Sequence, residues 1–311
     1  MSPYRLVTSL AAATVLAAAL VVSAVPADAV TWGMPSCGVN VQVSTVHPGD
    51  GQFRENLEFD GTGGLWVADS SGDRIERYAA DGRLTATVPG IRAAASIRKR
   101  GDALYVNYGD GVADHALPFN NAGVVRVDLN TLAVTPYASG LHVANGSAFD
   151  AAGNLYVSNS GGLTIARVRP GGQVDANWLT LPSAPNGVTV LGDTLYATLT
   201  LDLRSPVVAV PLADPGAWHV LAELASPLFK GLDDVYAGPD GQLYVAGNLV
   251  GELYRVDPAT GSACLLAAGL PAGNNSHLTD GITSVRAAHD FAPYDGDLFL
   301  TAGDGRIIRV H

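Results

Sequence analysis

Leu65-Trp66-Val67 is the first of six copies of one pattern: a leucine, an aromatic residue, then a small or branched apolar residue. The others are Leu104-Tyr105-Val106, Leu155-Tyr156-Val157, Leu195-Tyr196-Ala197, Leu243-Tyr244-Val245 and Leu298-Phe299-Leu300. Their leading leucines stand 39, 51, 40, 48 and 55 residues apart, the spacing of four-stranded propeller blades joined by unequal loops. Each copy has the same surroundings. A short strand comes first, and a turn leads into the triplet: Asp60-Gly61, Gly101-Asp102, Gly153-Asn154, Gly192-Asp193, Asp240-Gly241 or Asp295-Gly296. These pairs supply the positive φ that a tight hairpin needs. After a polar loop comes an alternating third strand, as in Arg74-Ile75-Glu76-Arg77-Tyr78, Val124-Val125-Arg126-Val127-Asp128 and Glu252-Leu253-Tyr254-Arg255-Val256. Period-two alternation marks one buried and one wetter face. The pattern predicts an all-β fold, a six-bladed β-propeller. Gly, Pro and Asp interrupt the chain too often for a helical or parallel α/β alternative.

The chain ends at Val310-His311, directly after the third strand of blade six, so that blade lacks its outermost strand. Val39-Asn40-Val41-Gln42-Val43-Ser44-Thr45-Val46 alternates with period two and precedes blade one. It is expected to pair beside Arg306 to Val310, closing the ring so that no strand edge is left open at the junction. On that arrangement Cys37 leads into the closing strand and Cys264 lies in the outer strand of blade five. A disulfide between them is expected if the chain reaches an oxidising compartment; the alternative is two isolated buried thiols.

The N-terminus points to such a compartment. Arg5 is followed by an apolar run from Leu6 to Val25 and then by Pro26-Ala27-Asp28-Ala29, a small-x-small cleavage pattern. Residues 1–29 read as a signal peptide and 30–311 as a single propeller domain of a secreted protein; an uncleaved anchor is the competing reading, since about 20 apolar residues can span a bilayer. No later run is long enough to do so. The net charge of −11, with Lys99 and Lys230 as the only lysines, argues against a nucleic-acid partner, whose phosphates demand clustered Lys and Arg.

Residues at the start of each innermost strand converge on the propeller axis. Counting back ten, ten, nine and ten residues from Leu65, Leu155, Leu195 and Leu243 gives Glu55, Asn145, Asn186 and Asp233; blade two offers Ala94, and in blade six an insertion leaves Asp280 further upstream. Two carboxylates and two carboxamides form an oxygen-only donor set, which suits a hard cation such as Ca²⁺ better than zinc or copper. The structural alternative is that Asn-Gly and Asp at strand starts merely make Asx turns. The connection Tyr108–Gly123 is the longest after a triplet strand. It carries Asp110, Asp114, His115 and Phe119, and a long loop over a site can act as a lid or specificity element. His115 is a candidate substrate-binding residue, acid or base. The Asn274-Asn275-Ser276-His277 loop has a similar claim.

Glu55-Asn56-Leu57-Glu58-Phe59-Asp60, Pro185-Asn186-Gly187-Val188, Asp233 with its Leu-Tyr-Val-Ala at 243–246, and Asp257-Pro258-Ala259-Thr260-Gly261 together resemble the senescence-marker-protein/gluconolactonase family. The resemblance spans nearly all of residues 30–311. It implies six blades, a central divalent cation, usually calcium, and lactonase or phosphotriesterase activity. Its metal ligands fall on Glu55, Asn186 and Asp233, with Asp233 also the candidate catalytic base, and its axial Asn near substrate and water falls on Asn145. Three positions depart from that pattern: Leu57 replaces a Pro, Asp234 a Gly, and Val143 a substrate-contacting Arg. The leading expectation is a secreted Ca²⁺-dependent hydrolase of a small-molecule lactone or related ester. Two alternatives stand beside it. Gly64–Asp69 and Asp73-Arg74-Ile75 also resemble the repeat of non-catalytic NHL-like scaffold propellers, and a propeller of this kind can be recruited for a lyase or cyclisation reaction.

Overall fold

A computed structural model describes residues 33–116, 120–225, 229–273 and 280–311; residues 1–29, Phe119 and the Asn274–His277 loop lie outside the described residues. Six four-stranded antiparallel sheets follow one another along a unit spanning Thr31–His311. From the axis outward, blade one consists of Arg54–Phe59, Leu65–Asp69, Arg74–Tyr78 and Leu84–Pro89. Blades two to five repeat this order, and the six innermost strands touch in sequence around a closed ring. All six turn glycines, at 61, 101, 153, 192, 241 and 296, have positive φ between 59° and 90°.

The triplet repeat follows from how blades pack. Leu65 and Val67 face the seam with blade six, whereas Trp66 faces the seam with blade two. The same rule holds at every copy: first and third residues pack backward, and the aromatic packs forward. A strand alternates its side chains between faces, and a second strand has a neighbouring blade on both. Its outward face therefore has to be apolar too. The six seams hold six separate hydrophobic clusters.

Blade six is completed as expected. Val43–His47 pairs antiparallel with Ile307–Val310, Val43 opposite Val310 and Thr45 opposite Ile308. The strand begins later than the alternation at Val39 suggests, although Gln42 just ahead of it exchanges both backbone hydrogen bonds with His311, and residues further upstream serve blade five. Ser36 bridges Leu265 in parallel, Cys37 donates its N–H to the Leu265 carbonyl at 2.9 Å, and the Cys37–Cys264 disulfide is present. The N-terminal segment thus ties blade five to blade six before closing the ring.

Candidate functional site

Five blades carry an irregularity at the start of the innermost strand. Register slips between Arg54 and Asn56, Ala144 and Ser147, Pro185 and Val188, Leu232 and Val235, and Ile282 and Ser284. A bulge frees a side chain from the alternation of the pleat and re-aims it. The bulges contain Glu55, Asn145, Asn186, Asp233 and Thr283 respectively. The first four line one cavity of about 420 Å³. Thr283 instead donates its hydroxyl to the Arg54 carbonyl at 2.6 Å, sealing the seam between blades six and one. Asp280 lies ahead of the Ile282–Ala287 strand and is not among the residues that line this cavity. The innermost strand of blade two pairs in unbroken register and gives no bulge residue at the axis.

The two Asn-Gly pairs lie in strands, not turns. A Cβ on Gly146 would sit 2.3 Å from the Asn186 carbonyl oxygen, and one on Gly187 would sit 2.4 Å from the Asp234 Cα. Glycine is required there because adjacent innermost strands approach closely. That approach brings Asn145, Asn186 and Asp233 together. Ser158 and Thr198 on the second strands hold it in place: each accepts from the neighbouring glycine N–H, at 2.8 and 2.9 Å, and donates onward to the carbonyl of Asn186 or Asp233.

Blade two contributes through its loop. Asp110 accepts hydrogen bonds from Asn145 Nδ2 at 2.6 Å and Ser160 Oγ at 3.0 Å, and its other contact is His115 Nε2 at 3.1 Å. His115 sits half-exposed on a short helix, Val112–Ala116, and lines the cavity. Asn145 Nδ2 also donates to Glu55 Oε1 at 2.9 Å, so one carboxamide joins two carboxylates. The loop drew attention by its length, but Asp110 had no assigned role from sequence because it occupies no repeat position. Asp114 does not join this group: it pairs with Arg92 at 2.6 Å.

Three carboxylates, Glu55, Asp110 and Asp233, therefore share a cavity that no Lys or Arg lines among the described residues. Burial pushes the Glu55 carboxyl well above its ordinary range, and the charges of Asp233 and Asp110 push it further. Asp233 is raised likewise by burial and by Asp234 and Asp110. The hydrogen bond to Asp110 raises His115. Two buried oxygens, Asn186 Oδ1 and Asp233 Oδ1, have no hydrogen-bond partner. Clustered anionic oxygens and orphaned acceptors are the environment a hard cation relieves. His, Cys, Asp and Glu alone make no metal-holding group of three among the described residues, so a cation here relies on carboxamide oxygen as well. The Glu55, Asn186 and Asp233 donor set fits one.

One residue further along the strands, the channel is plugged. Asp234 accepts from Asn56 Nδ2 at 3.1 Å, Ser284 Oγ at 2.5 Å and Arg286 Nη1 at 2.9 Å; Arg98 Nη2 stands 3.8 Å away. Arg98 also donates to Asn56 Oδ1 at 2.8 Å. Asp234, the departure from the family's Gly, is thus the acceptor at the centre of a buried network joining blades one, two, five and six.

No protein-family model matches the chain, and no curated protein matches it by sequence. Solved structures do. A calcium-binding protein, regucalcin, from Agrobacterium tumefaciens aligns with a TM-score of 0.64 at 18% identity, over 86% of this chain and 95% of its own. A gluconolactonase from Xanthomonas campestris aligns with a TM-score of 0.64 at 15% identity, over 86% and 89%. A virginiamycin B lyase from Staphylococcus aureus aligns with a TM-score of 0.58 at 12% identity, over 87% and 98%. The fold of this chain is the six-bladed propeller common to gluconolactonase-like and lyase propellers.

Proposed function

We propose that the chain is a Ca²⁺-dependent hydrolase that opens a lactone or related ester at the propeller axis. The observation that carries this reading is the pair of orphaned oxygens, Asn186 Oδ1 and Asp233 Oδ1, in a cavity holding three carboxylates and, among the described residues, no lining Lys or Arg. The likeness to a calcium-binding regucalcin and a gluconolactonase supports it. Glu55, Asn186 and Asp233 would hold the ion. A bound divalent cation supplies positive charge that stabilises the developing oxyanion of an ester carbonyl.

The chain's own groups supply the rest. Asp233 Oδ2 accepts from Asn248 Nδ2 at 3.3 Å, and its buried Oδ1 has no hydrogen-bond partner. Asp233 is the candidate general base for the attacking water. Water adds to the carbonyl carbon as its proton passes to the Asp233 carboxylate. The carbon–oxygen bond to the leaving alkoxide then breaks, and the proton returns to that alkoxide, giving a hydroxy acid from a lactone. Asn145 orients Glu55 and Asp110 about the reacting group. A second reading, elimination, is favoured by one observation, the His115–Asp110 pair at the cavity wall. The likeness to a virginiamycin B lyase supports it.

The experiment is calorimetry of metal-stripped protein with Ca²⁺, paired with a lactone panel. Stoichiometric binding and Ca²⁺-dependent ring opening, both lost in Asp233→Asn, are expected. Absence of Ca²⁺ binding overturns the metal reading, and turnover without incorporation of labelled water overturns hydrolysis. Secretion belongs to the same proposal: residues 1–29 read as a leader, the disulfide is the chemistry of an oxidising compartment, and no helix among the described residues is long and apolar enough to cross a membrane. Intact mass of exported protein should start at Val30.

A further inference from the structure

The described residues expose eight large hydrophobic side chains, and four of them, Val112, Leu163, Leu201 and Leu203, stand on loops between second and third strands of blades two, three and four. These loops open on the face of the cavity. Val112 is 87% exposed and Leu201 68% exposed, and both line the cavity itself. Leu201, His115 and Ser160 also form the boundary of a second recess of about 470 Å³, which runs outward past Leu163, Pro182 and Ala184. Those three residues line both spaces. No Lys, Arg, Asp or Glu lines the outer recess. Asp110 touches two of its lining residues, Ser160 Oγ at 3.0 Å and His115 Nε2 at 3.1 Å, and Asp202 and Arg204, beside Leu201 and Leu203 in the chain, are paired with each other at 2.8 Å.

Among the described residues no Lys or Arg lines either space to pair with an anionic sugar-acid substrate, and Val143 is fully buried where the resemblance leads one to expect an arginine. Exposed leucines cost solubility unless something apolar covers them. We propose, resting on the hydrolase reading, that the substrate is amphipathic: its ester or lactone group sits at the axis and an unbranched alkyl tail lies along the groove past Leu201 to Leu163. Tail specificity then comes from hydrophobic burial, and charge plays no part in it.

The test is a series of γ-lactones with alkyl tails from methyl to octyl, assayed with Ca²⁺ present. Each methylene buried in the groove multiplies kcat/KM by up to about fourfold, so the longest tails should exceed the shortest by 100-fold or more. Leu163→Ser and the Leu163→Ser/Leu201→Ser double variant, both at exposed positions, should flatten that slope. A parallel series of 2-alkylcyclopentanones, which cannot be hydrolysed, is titrated by calorimetry. Affinity that rises with tail length while no lactone turns over upholds the groove and removes the hydrolase reading. Turnover independent of tail length, or a slope unchanged in the double variant, overturns the groove and leaves the hydrolase reading standing.

Discussion

Asp233 and Asp234 follow one another on the innermost strand of blade five and both are buried, yet one faces carboxylates and the other faces guanidinium groups. Asp233 shares its cavity with Glu55 and Asp110, leaves one oxygen without a partner and is pushed toward its protonated form. Asp234 accepts from Arg286, Ser284 and Asn56 and is flanked by Arg98, whose own pKa is pushed down to about 10 by burial and by the charge of Arg286. A buried charge with its partners present serves the fold; a buried charge without them is a standing cost that a ligand can relieve. The bulge at Leu232–Val235 is what separates the two, since it sends consecutive side chains to different parts of the channel.

The largest effect should come from removing the paired member. Asp234→Ala leaves Arg98 and Arg286 facing each other in a buried channel, and breaking such a pair costs about 3–5 kcal/mol. Denaturant unfolding in EDTA checks it, with Asp234→Asn as the milder variant that keeps the packing. Asp233→Asn is expected to do the opposite in EDTA. It removes a repelled charge, so the metal-free protein should be at least as stable as the wild type.

Adding Ca²⁺ should reverse the ranking of Asp233. At free Ca²⁺ of about 100 times Kd, binding to the folded state alone stabilises it by about 2.7 kcal/mol, which is on the order of 5 °C of midpoint for a domain of this size. Thermal unfolding with and without Ca²⁺ should show that shift in the wild type and lose it in Asp233→Asn and Glu55→Gln. Gly187→Ala should cost roughly 1–3 kcal/mol, because its Cβ meets the Asp234 Cα at 2.4 Å and the Val235 nitrogen at 2.5 Å, both backbone atoms that cannot swing away. Since that strand carries Asp233 as well, the Ca²⁺ shift should shrink along with the stability.

The seam packing was legible in the sequence because each blade repeats it: Leu65, Trp66 and Val67 show the forward and backward rule, and five further copies confirm the register. The axial residues were legible by counting from those leucines, and Asn-Gly carried a second signal, read as turn chemistry, whose physical basis is close approach at Gly146 and Gly187. Thr283 was missed because the long hairpin inside blade six, residues 288–297 between Ile282–Ala287 and Leu298–Ala302, broke the count. Asp110 was missed for a different reason. It reaches the cavity from a loop that obeys no repeat, so only the folded chain shows that Asn145 and His115 both meet it. The partnership of Asp234 with two arginines was equally invisible, since Arg98 and Arg286 belong to blades two and six and nothing local pairs them.

The smallest expected effect on stability is the one that best separates the two reactions the cavity could run. His115 is half-exposed and its polar contact is Asp110, so His115→Ala should change unfolding free energy by no more than about 0.5 kcal/mol. It touches none of Glu55, Asn186 and Asp233, so the Ca²⁺-dependent melting shift should survive intact. Turnover then decides its role. If Asp233 is the base for water, His115→Ala should lower kcat by less than about tenfold, through loosened positioning of Asp110. If the reaction is an elimination with His115 as its base, loss of the imidazole should cost about 10²–10⁴ in kcat, the worth of a general base, while the melting shift stays where it was. Measuring kcat and the Ca²⁺ shift on the same His115→Ala preparation therefore distinguishes a wall residue from the proton acceptor.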